Sequence, residues 1–394
     1  MQSDWLEIIN LILRYFHVVA GIAWIGASFY FIWLDNNLEE PARLKTDMGI
    51  KGDLWAIHGG GIYEVSKYKL APKEMPSKLH WFKWEAYTTW ITGFLLLTLI
   101  YYINADSYLI DKEKITITQP VSILISLGSL IFGWLIYNGL CRSKIINNGI
   151  LFASVCLLII GLFSLFLDQI FSDRGAFIHI GAMIGTCMAA NVWRVIIPSQ
   201  KYLVSSINDG TEPDPKISEH AKLRSTHNNY VTLPLLFLMI SHHYSFIYSH
   251  EFSWLALVGI VFIGMLIRHY FNLRHKGVNK PVFFLSGFLS FLILTFYLIP
   301  SPNRNVVSSA QISDGQVMSI INMHCTSCHS RRPTDAVFSV APGGVYLNTR
   351  EDLIRWEDKI ISSAVKSHWM PLANKTKMTE EERKVIYSWL KQQN

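Results

Sequence analysis

The chain has 394 residues, 51% of them hydrophobic, and a mean hydropathy of +0.26. This composition is too apolar for a soluble protein of that length and predicts an integral membrane protein. The net charge of +6 is shared equally between the apolar region and the C-terminal tail, so neither indicates nucleic-acid binding. The sequence has no G-x-G-x-x-G, P-loop or G-x-S-x-G motif, which leaves dinucleotide, ATP and esterase chemistry without support.

Eight segments are apolar enough, and long enough, to cross about 30 Å of hydrocarbon as helices. The first is not a cleaved signal peptide, because its flank lacks basic residues and its apolar stretch is too long. The predicted spans lie near residues 7–34, 84–104, 119–140, 148–170, 176–197, 229–249, 253–273 and 281–300.

Basic residues are distributed unevenly over the connecting loops. The loops after the odd-numbered spans hold 19 Lys and Arg, whereas the remaining segments before the C-terminal tail hold 3. Cytoplasmic loops carry the excess of Lys and Arg. We therefore expect a multi-pass protein of a bacterial inner membrane, with the N-terminus and the C-terminal tail both in the periplasm.

Four histidines lie in the predicted periplasmic half of the spans. Arg14 precedes the first of them by one helical turn, and Gly21 follows on the same face. Small residues beside a histidine let a flat macrocycle approach, so these histidines are candidate ligands of a b-type haem or another metal. The alternative is close helix packing, with each histidine bonded to a neighbour. The four are His17, His179, His242 and His243.

A second group of polar residues lies at the predicted cytoplasmic ends of the spans. Arginine, paired asparagines and aromatic rings suit a flat, anionic, hydrogen-bonding heterocycle. The alternative is interfacial anchoring by aromatic belts and long cations. Anchoring accounts poorly for Asn228-Asn229 and for the run His58-Gly59-Gly60-Gly61.

The C-terminal tail contains Cys325-Thr326-Ser327-Cys328-His329, a C-x-x-C-H motif. This motif attaches a c-type haem through two thioethers, and its histidine ligates the iron. A zinc site or a thioredoxin-like redox pair is the alternative. Both are disfavoured, because the other three cysteines lie in or beside apolar stretches and no βαβ pattern surrounds the motif.

Met370 is the predicted second axial ligand, since it lies 41 residues after His329 and precedes a proline that keeps it on a loop. Met378 competes, but it adjoins a capping box that opens a last helix, Glu380 to about Lys391. Another helix, about Asp314 to His324, leads into the motif.

The predicted fold class is therefore all-α, a polytopic eight-helix transmembrane bundle followed by a small α-helical class I cytochrome c domain. The expected boundaries are a membrane domain at 1–300, a linker at 301–310 and a cytochrome domain at 311–394.

Six segments of the chain form long and specific motifs: Arg14–His17, Trp24–Phe29, Trp55–Gly61, His80–Trp90, Arg224–Tyr230 and Arg268–Asn272. They resemble those of the membrane-bound, cytochrome c-linked urate oxidases (urate hydroxylases), and the resemblance covers essentially the whole chain. It implies an eight-span domain joined to a cytochrome c. It also implies oxidation of urate to 5-hydroxyisourate, with electrons leaving through the haem rather than to dioxygen.

Urate chemistry gives these residues expected roles. Urate is a planar anion, and its oxidation requires a base. Electrons would pass to another cytochrome c or a terminal oxidase of the respiratory chain. The candidate bases are His58, Glu85, His227 and His269. The candidate substrate-binding residues are Arg224, Asn228, Asn229 and Arg268.

Two other functions stay open. The chain could be a respiratory dehydrogenase of another donor such as quinol, or a haem- or metal-handling membrane protein with a cytochrome tail. The first span also resembles those of copper-resistance membrane proteins and bacterial protoporphyrinogen oxidases. In those proteins the first-span histidine is associated with haem, which makes His17 a ligand candidate by analogy.

Overall fold

The computed structural model describes residues 2–72, 74–112, 114–298, 312–335 and 337–393, and helices dominate these residues. The predicted linker at 301–310 and the last two residues of the eighth predicted span lie outside the described residues. The long helices are α1 (Gln2–Asn36), α2 (Trp84–Leu97), α3 (Gln119–Leu140), α4 (Gly149–Asp168), α5 (Asp173–Asn191), α6 (Ile197–Asn208), α7 (Pro215–Ile240), α8 (Ser253–His275), α9 (Val282–Leu298), α10 (Asp314–His324) and α11 (Glu380–Lys391).

Five helices of the described chain are long and apolar enough to cross a membrane, which is compatible with a membrane protein. They are α1, α3, α4, α8 and the continuous helix Asp173–Asn208, in which a π-helical turn joins α5 to α6. Helix α9 is apolar but shorter, and a π-helical turn extends α2 to Tyr102. The count of eight spans stays a prediction.

Helix α7 differs most from its predicted span, 229–249. It begins 14 residues earlier, because Asp214 caps it by accepting a hydrogen bond from the amide of Lys216 and Pro215 suits the first helical position. It ends at Ile240, where the 3₁₀ turn Ser241–His243 follows. Its first turns are polar, so hydropathy does not reveal them.

The loop predicted at 35–83 contains an antiparallel hairpin that the all-α prediction missed. Strands β1 (Ile50–His58) and β2 (Gly61–Tyr68) pair with His58 opposite Gly61. Gly59 and Gly60 form the two-residue turn with φ of +55° and +81°, a conformation that favours glycine. The glycine run therefore has a conformational explanation.

The apolar helices pack around one buried core. Helix α1 lies along α2, α7 contacts both α5 and α8, and α8 also contacts α9. Pro234 of α7 lies so close to Gly264 of α8 that a Cβ at residue 264 would come within 2.7 Å of the proline ring. Close approach of α7 and α8 fixes the relative position of the polar residues that both helices carry.

The C-terminal region has its own core, formed by Val317 and Ile321 of α10 and Trp389 of α11 with other buried residues. The predicted bounds of both helices are confirmed, and Thr379 and Glu382 form the predicted capping box. Trp389 Nε1 donates a hydrogen bond to Asp314 Oδ1 at 2.9 Å, which joins the two helices.

The C-terminal region contacts one end of the helical core. The ring centroids of Trp369 and Tyr248 lie 6.3 Å apart, and the short helix Ala105–Tyr108 also touches the region. We name the end of the helical core that contacts the C-terminal region the outer end. The opposite end, which carries the hairpin, is the inner end.

Candidate functional site

Near the inner end, a buried hydrogen-bond network surrounds Arg224 of α7. Its Nη2 donates to Asn138 Oδ1 at 2.7 Å and its Nη1 to Asn191 Oδ1 at 3.2 Å. The amide of Asn191 donates in turn to Asn228 Oδ1 at 2.8 Å, and that of Asn228 to the Met188 carbonyl at 3.0 Å. We name this network the Arg224 centre. Its donors and acceptors satisfy one another across α3, α5 and α7.

His227 lies beside the Arg224 centre. Its Nδ1 is 3.0 Å from the hydroxyl of Tyr137, and its ring stacks on Phe152 with centroids 4.7 Å apart. Tyr137 also lies under the Arg224 guanidinium, at 5.0 Å from its ring centroid. His227 is thus held by the same network.

A second buried arginine, Arg268 of α8, has different surroundings. Its Nε donates to Asn229 Oδ1 at 2.8 Å, and its guanidinium stacks 3.9 Å above the centroid of Phe29 of α1. Arg268 Nη2 and Asn229 Nδ2 are buried donors without a partner among the described residues. The acceptor Asn272 Oδ1 and the ring nitrogen His275 Nδ1 are likewise buried and have no partner there. We name this group the Arg268 centre; it consists of Arg268, Asn229, Phe29, Asn272 and His275.

The helix periodicity explains this grouping. Asn272 and His275 follow Arg268 at positions +4 and +7 of α8, so the three share a face. Asn229 reaches them from α7, and Phe29 from α1. Because natural proteins leave few buried polar atoms unpaired, several in one place indicate a position for a polar ligand or water.

Glu85 lies on a neighbouring helix. Its Oε2 is buried and has no partner in the described chain. It belongs to the first turn of α2, which packs along α1, and Phe82 just before it contacts Phe31 with ring centroids 4.9 Å apart. Glu85 is therefore an unpaired carboxylate near the stretch of α1 that carries Phe29.

The other two candidate bases have other surroundings. His269 Nδ1 lies 2.8 Å from the hydroxyl of Tyr230, and the side chain is half-buried. His58 is exposed beside the hairpin turn. The structure thus groups Asn229 with Arg268, and His227 and Asn228 with Arg224. It leaves His58 apart from both groups.

A cavity of about 470 Å³ lies between α1, α2, α5 and α7, and its lining includes residues at the outer ends of these helices. His17 and His242 both line it, as do Arg14 and Arg174. His17 Nδ1 lies 2.9 Å from the Thr89 carbonyl oxygen, and His242 Nδ1 lies 2.7 Å from that of Met239. We name this space the outer cavity.

The remaining two histidines differ from this pair. His179 is fully buried, with Nδ1 2.7 Å from the Gly175 carbonyl oxygen and Nε2 2.7 Å from Ser126 Oγ. Both nitrogens are thus occupied, which leaves none for a metal. His243 lines the outer cavity but is exposed.

The C-x-x-C-H motif follows directly on α10. His329 Nδ1 lies 3.0 Å from the Val345 carbonyl oxygen. A carbonyl only accepts, so Nδ1 carries the proton and Nε2 keeps its lone pair, as a metal-ligating histidine requires. Burial lowers the pKa of His329, although the bond to Val345 opposes this, and so favours the neutral imidazole.

The two methionines have different surroundings. Met378 is buried at 4% exposure in the core of the C-terminal region. Met370 lies on a loop, partly exposed, and its backbone oxygen accepts a hydrogen bond from Arg383 at 2.6 Å. Cys325, Cys328 and His329 fit the attachment and ligation of a c-type haem, and Met370, unlike Met378, lies outside the core.

Contacts run from the outer cavity to the C-terminal region. Arg174 lines the cavity, and its guanidinium lies 5.2 Å from the ring centroid of Tyr108. Burial above all raises the pKa of Tyr108. The short helix Ala105–Tyr108 contacts the turn Leu372–Asn374, so Tyr108 lies between the cavity and the C-terminal region.

Comparison with known proteins gives one match. The family model described as urate oxidase N-terminal matches residues 3–299, about three quarters of the chain. The chain belongs to this family. Membership indicates an oxidoreductase acting on urate. No curated protein and no solved structure matches the chain.

Several residues that the structure brings into the sites of this urate oxidase family member were not predicted from the sequence. His275 could have been found, because it lies two helical turns after Arg268. Phe29, Asn138 and Arg174 could not, since each meets its partners only through packing between helices distant in sequence.

Proposed function

We propose that the chain is an integral-membrane urate oxidase that converts urate to 5-hydroxyisourate at the Arg268 centre. Its electrons leave one at a time toward the C-terminal region. Membership of the urate oxidase N-terminal family supports the substrate and the reaction class. The geometry supports the position of the site.

The observation that carries this proposal is the group of unpartnered polar atoms around Arg268. Arg268 Nη2 and Asn229 Nδ2 are donors, whereas Asn272 Oδ1 is an acceptor. Leaving such atoms unbonded and buried costs about 1–3 kcal/mol each. The urate anion offers carbonyl oxygens and ring N–H groups along its edge, so its binding would recover that free energy.

Phe29 contributes the flat surface of the site. The central carbon of the Arg268 guanidinium lies over its ring, 3.9 Å from the centroid, and this contact helps to fix the cation. A fixed guanidinium presents its donors to a planar anion with little loss of side-chain entropy. The Arg224 centre offers no such vacancy, because its amides already bond the guanidinium.

The reaction balances without dioxygen. Urate and one water give 5-hydroxyisourate, two protons and two electrons, as the oxygen of water forms a bond to C5 of the ring. Glu85 is the candidate that accepts a proton, because its Oε2 is buried and unpaired. A c-type haem on Cys325, Cys328, His329 and Met370 would supply a one-electron centre.

The orientation follows from charge. The inner end carries the loops rich in Lys and Arg, so we place it in the cytoplasm, where urate would enter. The C-terminal region then lies in the periplasm of a bacterial inner membrane. Another cytochrome c or a terminal oxidase would receive the electrons.

The test is anaerobic reduction of the purified protein by urate, followed through the haem absorption. We expect urate to reduce the haem without peroxide formation. The matched control is Cys325→Ala/Cys328→Ala, which should bind urate but show no haem reduction. Peroxide formed in step with urate loss would contradict the proposal, as would reduction by quinol but not by urate.

The haem ligand is tested separately. Met370→Ala should lower the reduction potential of the haem, because a methionine ligand raises it. Met378→Leu replaces a core methionine with a side chain of similar volume and should leave the potential unchanged. The opposite pattern would assign the ligand to Met378.

A further inference from the structure

The outer cavity contains two histidines, His17 and His242, whose ring nitrogens are arranged alike. In each, Nδ1 lies against a backbone carbonyl oxygen, at 2.9 Å for His17 and 2.7 Å for His242. A carbonyl oxygen has no proton to give, and the Thr92 hydroxyl, 3.1 Å from His17 Nδ1, donates its proton to the Thr88 carbonyl oxygen at 2.6 Å. Nδ1 is therefore the protonated nitrogen in both rings. Each Nε2 therefore keeps a lone pair.

Neither Nε2 has a hydrogen-bond donor among the described residues, and that of His242 is fully buried. Packing alone does not explain a buried acceptor left unbonded at a cavity wall. A histidine with Nδ1–H held by a carbonyl and a free Nε2 has the arrangement found in metal ligands. We propose that the outer cavity binds a second, non-covalent tetrapyrrole, a b-type haem, with His17 and His242 as its axial ligands.

Two arginines at the same cavity suit the carboxylates of such a group. Arg14 and Arg174 both line the cavity, and neither forms an ion pair with a carboxylate in the described part of the chain. The nearest side-chain acceptors are neutral, Asn10 for Arg14 at 2.6 Å and the hydroxyl of Tyr101 for Arg174 at 3.2 Å. Two unpaired cations at the mouth of an apolar cavity match the two propionates of a haem.

The walls suit a large, flat and apolar ligand. Gly21 and Gly185 line the cavity without a side chain, and a Cβ at either would come into ordinary van der Waals contact, at 3.9 Å, with Thr89 or Leu235. The volume of about 470 Å³ lies within the range of cofactor sites. Urate needs hydrogen-bond partners around its whole edge, and this mostly apolar wall does not offer them.

The position of the site adds a role that rests on the proposed function. Arg174 joins the cavity to Tyr108, whose short helix contacts the C-terminal region at Leu372–Asn374. A haem held by His17 and His242 would supply a one-electron centre that can accept an electron from the urate side and donate it to the C-terminal haem. The site would thus divide the electron path between the two ends of the molecule.

The test is a pyridine haemochrome spectrum of the full-length protein purified from haem-replete cells. We expect one non-covalent b-type haem for each covalent c-type haem. His17→Ala and His242→Ala should each lose the b-type component and keep the c-type component, which reports a folded, matured chain. His243→Ala, which removes the exposed neighbour, should keep both components.

A second variant leaves both histidines in place. Gly21→Leu should fill the cavity and lower the b-type content at least fivefold. The matched control is Gly26→Leu on the same helix, where a Cβ meets nothing within 4 Å and which does not line the cavity. It should retain the b-type haem.

Three results would overturn the inference. One is a wild-type spectrum with c-type haem alone. Another is quinone or protein-bound copper in place of the tetrapyrrole, found by solvent extraction or by metal analysis. The third is b-type content unaffected by both histidine substitutions. None of these results depends on urate turnover. They would therefore still decide the haem proposal if the urate proposal failed.

Discussion

Arg224 and Arg268 are the same residue type, both buried, and both near the inner end, yet their surroundings differ in kind. The Arg224 guanidinium donates to Asn138 and Asn191, and these amides continue the network. The Arg268 centre instead leaves two donors and an acceptor unbonded.

The difference separates two uses of a buried cation. A closed network stabilises the contact between helices, because every partner lost leaves another group unsatisfied. A network with unbonded atoms destabilises the protein without ligand and stabilises its complex with a ligand of matching shape. Burial alone does not distinguish the two, since Arg224 is 0% exposed and Arg268 only 4%.

The largest expected effect concerns catalysis beside the open centre. Glu85→Gln keeps the shape of the side chain but removes the proton acceptor, so kcat for urate should fall by about 10²–10⁴-fold. Steady-state turnover with an added electron acceptor measures it. Glu64→Gln, which removes an acid that pairs with Lys45 in the hairpin, should leave kcat within twofold. Equal losses in both variants would remove Glu85 from the mechanism.

The stability of the protein should depend more on Arg224 than on Arg268. Arg224→Lys leaves at least one of Asn138 and Asn191 without its donor and should lower the free energy of unfolding by about 3 kcal/mol. Arg268→Lys loses one bond, from Nε to Asn229 Oδ1, whereas Nη2 was already unbonded, so it should cost about half as much. Thermal unfolding of both variants in the same detergent measures the contrast. A larger loss for Arg268→Lys would show that the two centres were assigned the wrong way round.

The asparagines sharpen the same contrast. Asn272→Leu replaces an unpaired acceptor with an apolar side chain of similar volume. It should therefore raise KM for urate about tenfold with little change in Tm. Asn228→Leu breaks bonds to Asn191 and Met188 and should lower Tm while leaving KM within threefold. An unchanged KM in Asn272→Leu would exclude its contact with the substrate.

The smallest effect lies in the C-terminal region, where Lys375 pairs with Asp335. Burial raises the pKa of Asp335, but the hydrogen bond and charge of Lys375 outweigh it and hold the pKa below its ordinary value. A depressed carboxyl pKa stabilises the fold above about pH 4, and this contribution is lost as pH falls through the folded-state pKa.

Lys375→Met should therefore destabilise the C-terminal region at pH 7 by less than about 1 kcal/mol, as is usual for a partly exposed pair. The difference from the wild type should vanish in acid. Hydrogen exchange of α10 and α11, compared between the two proteins at each pH, measures it. A difference that grows in acid would contradict the assigned sign.

Local patterns predicted some parts of the molecule closely. The bounds of α10 and α11 follow from a capping box and a helix that leads into the haem motif, and both are confirmed. The hairpin was missed, although Gly59-Gly60 between two strands of alternating residues is a turn signal. The start of α7 was missed because its first turns are polar, although Asp214-Pro215 is a local signal for the start of a helix.

The candidate sites show the same limit. Arg224 and Arg268 were both chosen from residue type and depth, but only the packed structure shows which one has free donors. Likewise, four histidines were equivalent by depth, and the contacts of their ring nitrogens single out His17 and His242. Long-range packing decides these assignments, and local sequence does not encode it.

Equilibrium binding of urate to the two arginine variants tests the central claim most directly. The haem is first reduced chemically under anaerobic conditions, so that no turnover occurs, and binding is measured by calorimetry on the folded fraction. The account predicts that Arg268→Lys raises the Kd at least tenfold, about 1.4 kcal/mol, because the planar fork is lost. Arg224→Lys should keep the Kd within threefold of the wild type. A Kd raised tenfold by Arg224→Lys and unchanged by Arg268→Lys would contradict the account.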